Sequence, residues 1–528
     1  MNTKRYLAAA MAGVLLLAGC GGRKETQSKV SDADLKSYPL KGGITFTFWK
    51  QLNPNLAATY SNQGESPFEK ELEKRTGVKI KYQHPAAGSV QESFNIMISS
   101  GDLPDLIYYP WEWYQGGAVK AIEDGHIITI TDKMEKYAPA YTTYLKEHED
   151  IDRAVRTESG DYFGFPFIKG DSILCTSAGL MIRKDMLDEL GLEAPETMDE
   201  MYEVLTAIKK SGKVDFPYSG DLYLAALWGL FSSAYNVLPE LYVDGSEVKF
   251  GAGHKEYKEF LTTMNKWYKE GLIDNGFATL DAKTIDSNMI NGYAAMTNGA
   301  GGSGMGVYIT TAKKKNPKYD LVALKTPVLK KGTRPMFGNY SPQVSGHYTA
   351  ITKACKNVEA AMKYLDYLYT DEGHMLANFG IEGVSYEMKN GEPVYTDFIL
   401  KNKDGKSPSD MMAQYMLSSG TGGGSVVDKR YITQYYQLDR QRDALEKWSD
   451  NDAAEHEMPM LHIDAKDLST VSRQLTDLQT YTQTMTLKFI MGTESLDNYD
   501  KFVEDLKKMG MDNVEKAYTK ALAAYYKK

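Results

Sequence analysis

The chain has 528 residues, 42% of them hydrophobic and 25% charged, which is a globular balance over a length too great for one ordinary core, so two or more lobes are expected. Its formal net charge of −9 excludes a general nucleic-acid binder, whose binding domain would be strongly basic. Tyr outnumbers Phe by 37 to 17, and a side chain with an apolar face and a polar edge suits a wet binding surface.

Lys4 and Arg5 precede the apolar stretch YLAAAMAGVLLLAG. That stretch is too short to cross a hydrocarbon core of roughly 30 Å as a helix, so residues 1–19 read as a signal peptide. It closes on Leu17-Ala18-Gly19-Cys20, which looks like a bacterial lipobox. Cleavage before Cys20 and acylation of that residue would hold the chain on the extracellular face of the cytoplasmic membrane without a spanning helix. The polar stretch that follows makes residues 20–40 a lipidated Cys with a flexible tether. Cys175 and Cys355 remain, and the sequence leaves open one disulfide or two free buried thiols.

From residue 44 the chain alternates strand and helix. ITFTFW (44–49) is a β-rich run. Ser66-Pro67-Phe68-Glu69 reads as a capping box that opens a helix ended by Gly77, and VKIKY (78–82) alternates as a strand. Ser89-Val90-Gln91-Glu92 reads as a second box, and LPDLIYY supplies a third strand. This β-α-β-α-β order predicts a mainly parallel sheet covered on both faces. A second lobe is expected from about residue 174, where SAGLMIRKDMLDELG reads as strand then helix and Thr197-Met198-Asp199-Glu200 caps the next helix. GYAAMT (292–297) and HYTAIT (347–352) are further strands. KNVEAAMKYLDYLYTDEG reads as one helix burying Val358, Ala361, Met362, Leu365, Leu368 and Tyr369, and ESLDNYDKFVEDLKKMG as another ended by Gly510.

The third strand runs into IYYPWEWYQGG (107–117), with Tyr108, Tyr109, Trp111, Trp113 and Tyr114 crowded around Pro110. Ligands of open α/β sheets bind beyond the carboxyl ends of the strands, and both this run and Trp49 follow such ends. Trp49, Trp111 and Trp113 are therefore candidate ligand contacts. Trp228 reads as core or cleft wall, Trp267 as packing, and Trp448 is undecided.

Several catalytic patterns fail on their spacing. Gly299-Ala300-Gly301-Gly302-Ser303-Gly304 fits G-x-G-x-x-G but lies in mid-chain without an initial βαβ unit, so a close-approach loop is the better reading than a dinucleotide site. His456 and His462 do not form H-E-x-x-H, and Pro459 would break the helix that motif needs. No G-x-S-x-G surrounds a Ser, and no Cys pair has ligand spacing, so neither a metal nor a cofactor is expected.

SGDLPDLIYY (100–109), DYFGFPF (161–167), LMIRKDMLDELGLEAPETMDEMYEVLTAIKK (180–210), KWYKEGLID (266–274) and NGYAAM (291–296) together resemble the family 1 extracellular solute-binding proteins of ABC importers, and KFIMGTESLDNYDKFVEDLKKMGMD resembles their large oligosaccharide-directed branch. The resemblance implies a two-lobed, type II periplasmic-binding-protein-like α/β fold with a ligand cleft between lobes, the first made of residues 41–173 plus about 347–425 and the second of 174–346 plus about 426–528. It implies a monomeric receptor, not an enzyme, that hands an oligosaccharide to an ABC permease. Trp111, Trp113 and Tyr114 would stack on sugar faces, while Gln51, Asn298, Asn339 and Tyr340, each in a loop beside a strand or Gly turn, would bond the hydroxyl rim. Tyr386, in FGIEGVSYE, lies in a loop that enters the cleft of relatives. Alginate-binding relatives carry an Asp/Asn-rich calcium loop after the helix corresponding to 198–210. Here that stretch is KKSGKVDFPYSG with Asp215 alone, so neither calcium nor alginate is carried over. A surface glycan-processing enzyme and a peptide receptor are the competing readings.

Overall fold

The computed structural model describes residues 30–157, 159–417, 423–459, 461 and 463–527. The signal-peptide and lipobox reading, with Cys20, lies outside the described residues, as does His462. The flexible tether expected over 20–40 is corrected for its last part: Leu35 and Leu40 are buried in the core of the larger of the two sheets, and the Tyr38 hydroxyl donates to the Lys363 carbonyl at 2.6 Å. No described helix is long and apolar enough to cross a membrane.

The strands in chain order are β1 (Ile44–Trp49), β2 (Val78–Gln83), β3 (Leu106–Pro110), β4 (Gly164–Lys169), β5 (Ala178–Arg183), β6 (Phe216–Tyr218), β7 (Leu241–Asp244), β8 (Glu247–Phe250), β9 (Ala294–Ala300), β10 (Leu321–Ala323), β11 (Val344–Ile351), β12 (Tyr386–Lys389), β13 (Glu392–Tyr395) and β14 (Ser425–Val427). Two sheets organise the molecule. The larger has the order β14-β4-β11-β3-β1-β2 and the smaller β10-β5-β9-β6. In the larger sheet β11 alone is reversed, antiparallel to both β3 and β4, while β1–β2, β1–β3 and β4–β14 are parallel. In the smaller sheet β5 alone is reversed, between β10 and β9. The mainly parallel reading holds for the larger sheet, where three of five pairings are parallel, but the smaller sheet is mixed, with two of its three pairings antiparallel.

Each sheet has its own core. Phe46, Leu106, Phe165 and Ala350 from four strands of the larger sheet are fully buried together with Phe68 and Tyr141 from its flanking helices. Ile182 and Met296 of the smaller sheet are buried against Leu205, Phe260 and Phe489. β5 is buried on both faces along its whole length, as expected for a strand covered on each side.

Local signals explain most element ends, with two corrections. Ser66 accepts from the Glu69 N–H at 3.2 Å and Gly77 ends that helix at φ +72°, but the Glu69 carboxylate takes the Gln63 side-chain amide at 2.7 Å, so only half of the expected box forms. The Ser89 hydroxyl caps nothing and donates back to the Ala86 carbonyl, although the helix Val90–Ser100 follows as expected. The Thr197–Glu200 box is complete in both directions. The single helix expected over KNVEAAMKYLDYLYTDEG is in fact two, Val358–Asp366 and Asp371–Phe379, joined by a 3₁₀ turn at Tyr367–Tyr369. Thr370 is extended at ψ 160° and its hydroxyl accepts from Gly373 N–H, so a new N-cap interrupts the run.

Three chain crossings join the two sheets, and they are hydrogen-bonded side by side. Lys169 N–H donates to the Gln343 carbonyl at 2.9 Å, Gly170 N–H to the Val427 carbonyl at 3.0 Å and Ser341 N–H to the Cys175 carbonyl at 2.8 Å. Cys175 and Cys355 are free and buried. Burial raises the pKa of both thiols, that of Cys355 to about 12. Neither is expected to react with a thiol reagent at pH 8 in the folded chain from residue 23 onward, and two equivalents should appear on unfolding.

Candidate functional site

Four strands of the larger sheet end at one edge, β1 at Trp49, β3 at Pro110, β4 at Lys169 and β14 at Val427, and the reversed β11 begins there at Val344. A cavity of about 480 Å³ occupies that edge. Gln51 to Pro54 line it beyond β1, Tyr108 to Pro110 at the end of β3, Phe167 and Lys169 at the end of β4, and Ser345 and His347 at the start of β11. Leu174 and Tyr431 close it from the crossings. Parallel strands deliver their carboxyl ends to one edge, which is why residues far apart in sequence converge here.

The aromatic run divides between core and rim. Tyr108 and Tyr109 line the cavity. Tyr109 stacks on Phe94 at 3.7 Å between centroids, and Trp113 stands on edge against Tyr109 at 6.1 Å. Trp113 is 54% exposed, whereas Trp111 is 1% exposed and its indole N–H donates to the Tyr348 carbonyl at 3.2 Å. The two lie in a 3₁₀ turn, Trp111–Trp113, whose repeat of three residues points positions two apart in different directions. Trp111 is therefore a core residue and not a stacking platform.

Other candidates are also placed away from the cavity. Trp49 is buried in the first core beside the stacked Phe94 and Tyr109 rings, 5.9 Å and 6.1 Å from their centroids. Tyr114 is half-buried and its hydroxyl donates to Asp124 at 2.7 Å. Trp228 is half-buried against the second core. Asn298 is buried on β9 and accepts from the Tyr218 hydroxyl at 2.7 Å. Asn339 accepts from the backbone N–H groups of Ser177 and Ala178, both at 3.0 Å, and so ties two crossings together. Tyr340 lies beside them, hydrogen-bonded to the Cys175 side chain. Tyr386 packs with Phe379 and Tyr395 in a satellite core and is 6% exposed. Trp267 and Trp448 are both core residues at 2% exposure. Of the residues singled out for the ligand, the structure brings Gln51 into the cavity and Trp113 to a cavity-lining ring.

The sequence reading missed Phe167, Lys169, His347 and Tyr431. Phe167 and Lys169 carried a usable signal, because GFPF leads to the end of a buried strand. His347 did not, since it enters from the amino end of a reversed strand.

Lys169 and His347 are the basic side chains of the lining. Lys169 donates to the Ser341 carbonyl at 3.1 Å, and burial pulls its pKa down, with Cys175 and Glu457 opposing. Burial pushes Glu457 up to about 7, with the Lys169 ammonium opposing. Burial also raises the Glu112 carboxyl, opposed by His347. That carboxylate lies over Gly346, where a Cβ would come within 2.4 Å of Oε2. Below the Tyr108 ring, at 5.4 Å from its centroid, sits Lys50, which burial pushes down to about 8 against the pull of Glu69.

The glycine-rich turn Gly301–Gly306 is a π-helical turn at the end of β9. A Cβ on Gly301 would meet the Tyr436 hydroxyl at 2.9 Å and one on Gly302 the Tyr435 ring at 3.2 Å. These glycines make room for aromatic rings at the crossing, which is the close-approach role and not a phosphate cradle. Among the described residues no three His, Cys, Asp or Glu side chains are grouped to hold a metal ion.

Residues 58–375 match the family model described as bacterial extracellular solute-binding protein. The chain is 26% identical to lipoprotein LipO of Bacillus subtilis over 435 residues, 79% of each chain. It is 24% identical over 538 aligned positions to the fructooligosaccharide ABC transporter substrate-binding protein FusA of Streptococcus pneumoniae, covering 95% of this chain and 94% of that one. The solved structure of FusA in complex with kestose superposes with a TM-score of 0.70 at 20% identity, over 92% of this chain and 99% of that chain, which supports the two-lobed fold.

Proposed function

The chain belongs to the bacterial extracellular solute-binding proteins, a family of binding proteins rather than enzymes, and we propose that it captures an oligosaccharide and delivers it to an ABC importer permease. The lobes would be residues 41–173 with about 347–425, and 174–346 with about 426–528, closing about the three hydrogen-bonded crossings. A lipid on Cys20 would keep the receptor beside its permease on the outer face of the membrane.

The observation that carries this reading is the cavity at the strand ends, with aromatic faces from Tyr108, Tyr109, Phe167 and Tyr431 and polar groups from Gln51, Asn53, Lys169 and His347. A pyranose or furanose offers an apolar C–H face and a rim of hydroxyls, and this lining answers both. FusA and its kestose complex supply the ligand class by similarity. A ligand that touches both lobes favours the closed state through those contacts, and the permease would read that state.

Thermal unfolding of the chain from residue 23 onward, which keeps every described residue, tests the proposal against a panel of oligosaccharides. A ligand present at a hundred times its dissociation constant adds about 2.7 kcal/mol. For a chain of this length that is roughly 2–3 °C, confirmed by titration calorimetry. A peptide library that shifts the melt while every sugar fails would replace the sugar reading with a peptide one.

A further inference from the structure

We infer, on the reading that this cavity takes an oligosaccharide, that the ligand is an acidic one. It is a sugar chain with a uronate residue whose carboxylate seats against Lys169 and His347. Of the fifteen residues that line the cavity, these two are basic and none is acidic. Their strands, β4 and β11, are neighbours in the larger sheet. The two bases therefore reach the cavity from adjacent strands, Lys169 opposite Val427 of β14 and His347 opposite Pro110 of β3.

Both bases keep capacity for an anion. The Lys169 ammonium has three N–H donors, and one goes to the Ser341 carbonyl at 3.1 Å. No carboxylate among the described residues forms an ion pair with it. His347 gives its Nδ1–H to the Ser345 carbonyl at 3.1 Å, which leaves Nε2 to take a second proton and pair with an anion. Glu457 and Glu112 act on these bases through space, but neither carboxyl lines the cavity or forms an ion pair with either base.

The cations beside Tyr431 are different. Lys429 pairs with Asp171 at 2.8 Å, and Arg430 with Asp428 at 2.6 Å and Glu392 at 2.8 Å. Each has its carboxylate within the chain, whereas Lys169, half-buried at a strand end, does not. A cation drawn partly out of water with no anion beside it is completed by a ligand that brings one. One ammonium and one imidazole suit a monoanion. A phosphate dianion is met best by forked guanidinium groups, and no arginine lines the cavity. The rings of Tyr108, Phe167 and Tyr431 and the amide of Gln51 suit the neutral part of a sugar chain, so one uronate at this seat is enough.

The test compares each acidic oligosaccharide with its own carboxyl-reduced counterpart, in which a hydroxymethyl group replaces the carboxylate and the linkage is unchanged. Native mass spectrometry and titration calorimetry are run on the chain from residue 23 at pH 7 and near-physiological salt. The acidic pool holds oligogalacturonates, oligomannuronates and glucuronoxylan fragments. A neutral pool holds fructans with cello-, xylo-, manno- and malto-oligomers. At least one acidic oligomer is expected to bind, more tightly than its reduced counterpart and than any neutral component by about tenfold or more. Lys169→Gln keeps a donor for the Ser341 carbonyl and loses the charge, so most of that advantage is expected to vanish while the reduced counterpart binds as before. A neutral or reduced oligomer bound as tightly as the best acidic one overturns the inference and leaves the sugar-receptor reading standing. That comparison uses the parent chain alone, so it decides the matter even where Lys169→Gln fails to fold. An acidic preference unchanged in a folded Lys169→Gln overturns the seat assigned to the carboxylate. Binding from neither pool overturns the receptor reading, and the inference with it.

Discussion

Trp111→Ala and Trp113→Ala, two positions apart in one turn, are expected to fail in different ways. Trp111 is 1% exposed and its N–H is bonded to the Tyr348 carbonyl. Truncating it removes a fully buried indole from the contact between the turn and β11 and leaves the Tyr348 carbonyl without that donor. The expected loss is about 3–5 kcal/mol, read from denaturant unfolding of the two chains. Trp113 is 54% exposed and touches the body through the edge of Tyr109. Its truncation should change stability by roughly 0.5 kcal/mol or less and weaken oligosaccharide binding at least tenfold, because a sugar resting on the cavity rim loses its stacking surface. The reverse pattern, a stable Trp111→Ala and an unstable Trp113→Ala, would sink this assignment of roles. A Trp113→Ala variant that binds the sugar as the parent does would remove Trp113 from the ligand.

The contrast also shows where the sequence was legible. The strand ITFTFW, the helix before Gly77 and the complete cap at Thr197 were readable because each rests on local chemistry: alternation, a capping hydroxyl, a left-handed glycine. The edge that would carry the ligand was readable too, since strand order in a βαβ chain decides it. Which ring faced the edge was not. That depends on the phase of a three-residue turn and on Phe94 and Tyr348, which arrive from a helix and a strand elsewhere in the chain. Asn339 illustrates the same limit, since a polar side chain in a Gly-flanked loop looked available, yet it is used to bind two chain crossings. Glu457 carried no local signal at all. Its character comes from burial and from Lys169, 288 positions earlier in the numbering.

That carboxyl makes the second large effect a pH effect. Glu457 titrates near 7 in the folded chain, against an ordinary value of 4.5. Between those values the folded protein holds a proton that the unfolded chain has released, so unfolding releases a proton and stability falls as pH rises. The contribution is fully present below about pH 4.5 and is lost as pH passes through 7. A shift of this size corresponds to about 3 kcal/mol between the two limits. Asp366, pushed up to about 6 by burial while accepting from Tyr141 and Ala140 N–H groups, acts in the same sense. Glu457→Gln keeps the shape and removes the titration, so the stability of the variant relative to the parent should climb by up to that amount from pH 5 to pH 8. Parallel stability curves would mean that Glu457 does not carry the shift. Lys169, Cys175 and Tyr340 are the groups within Coulomb reach of it.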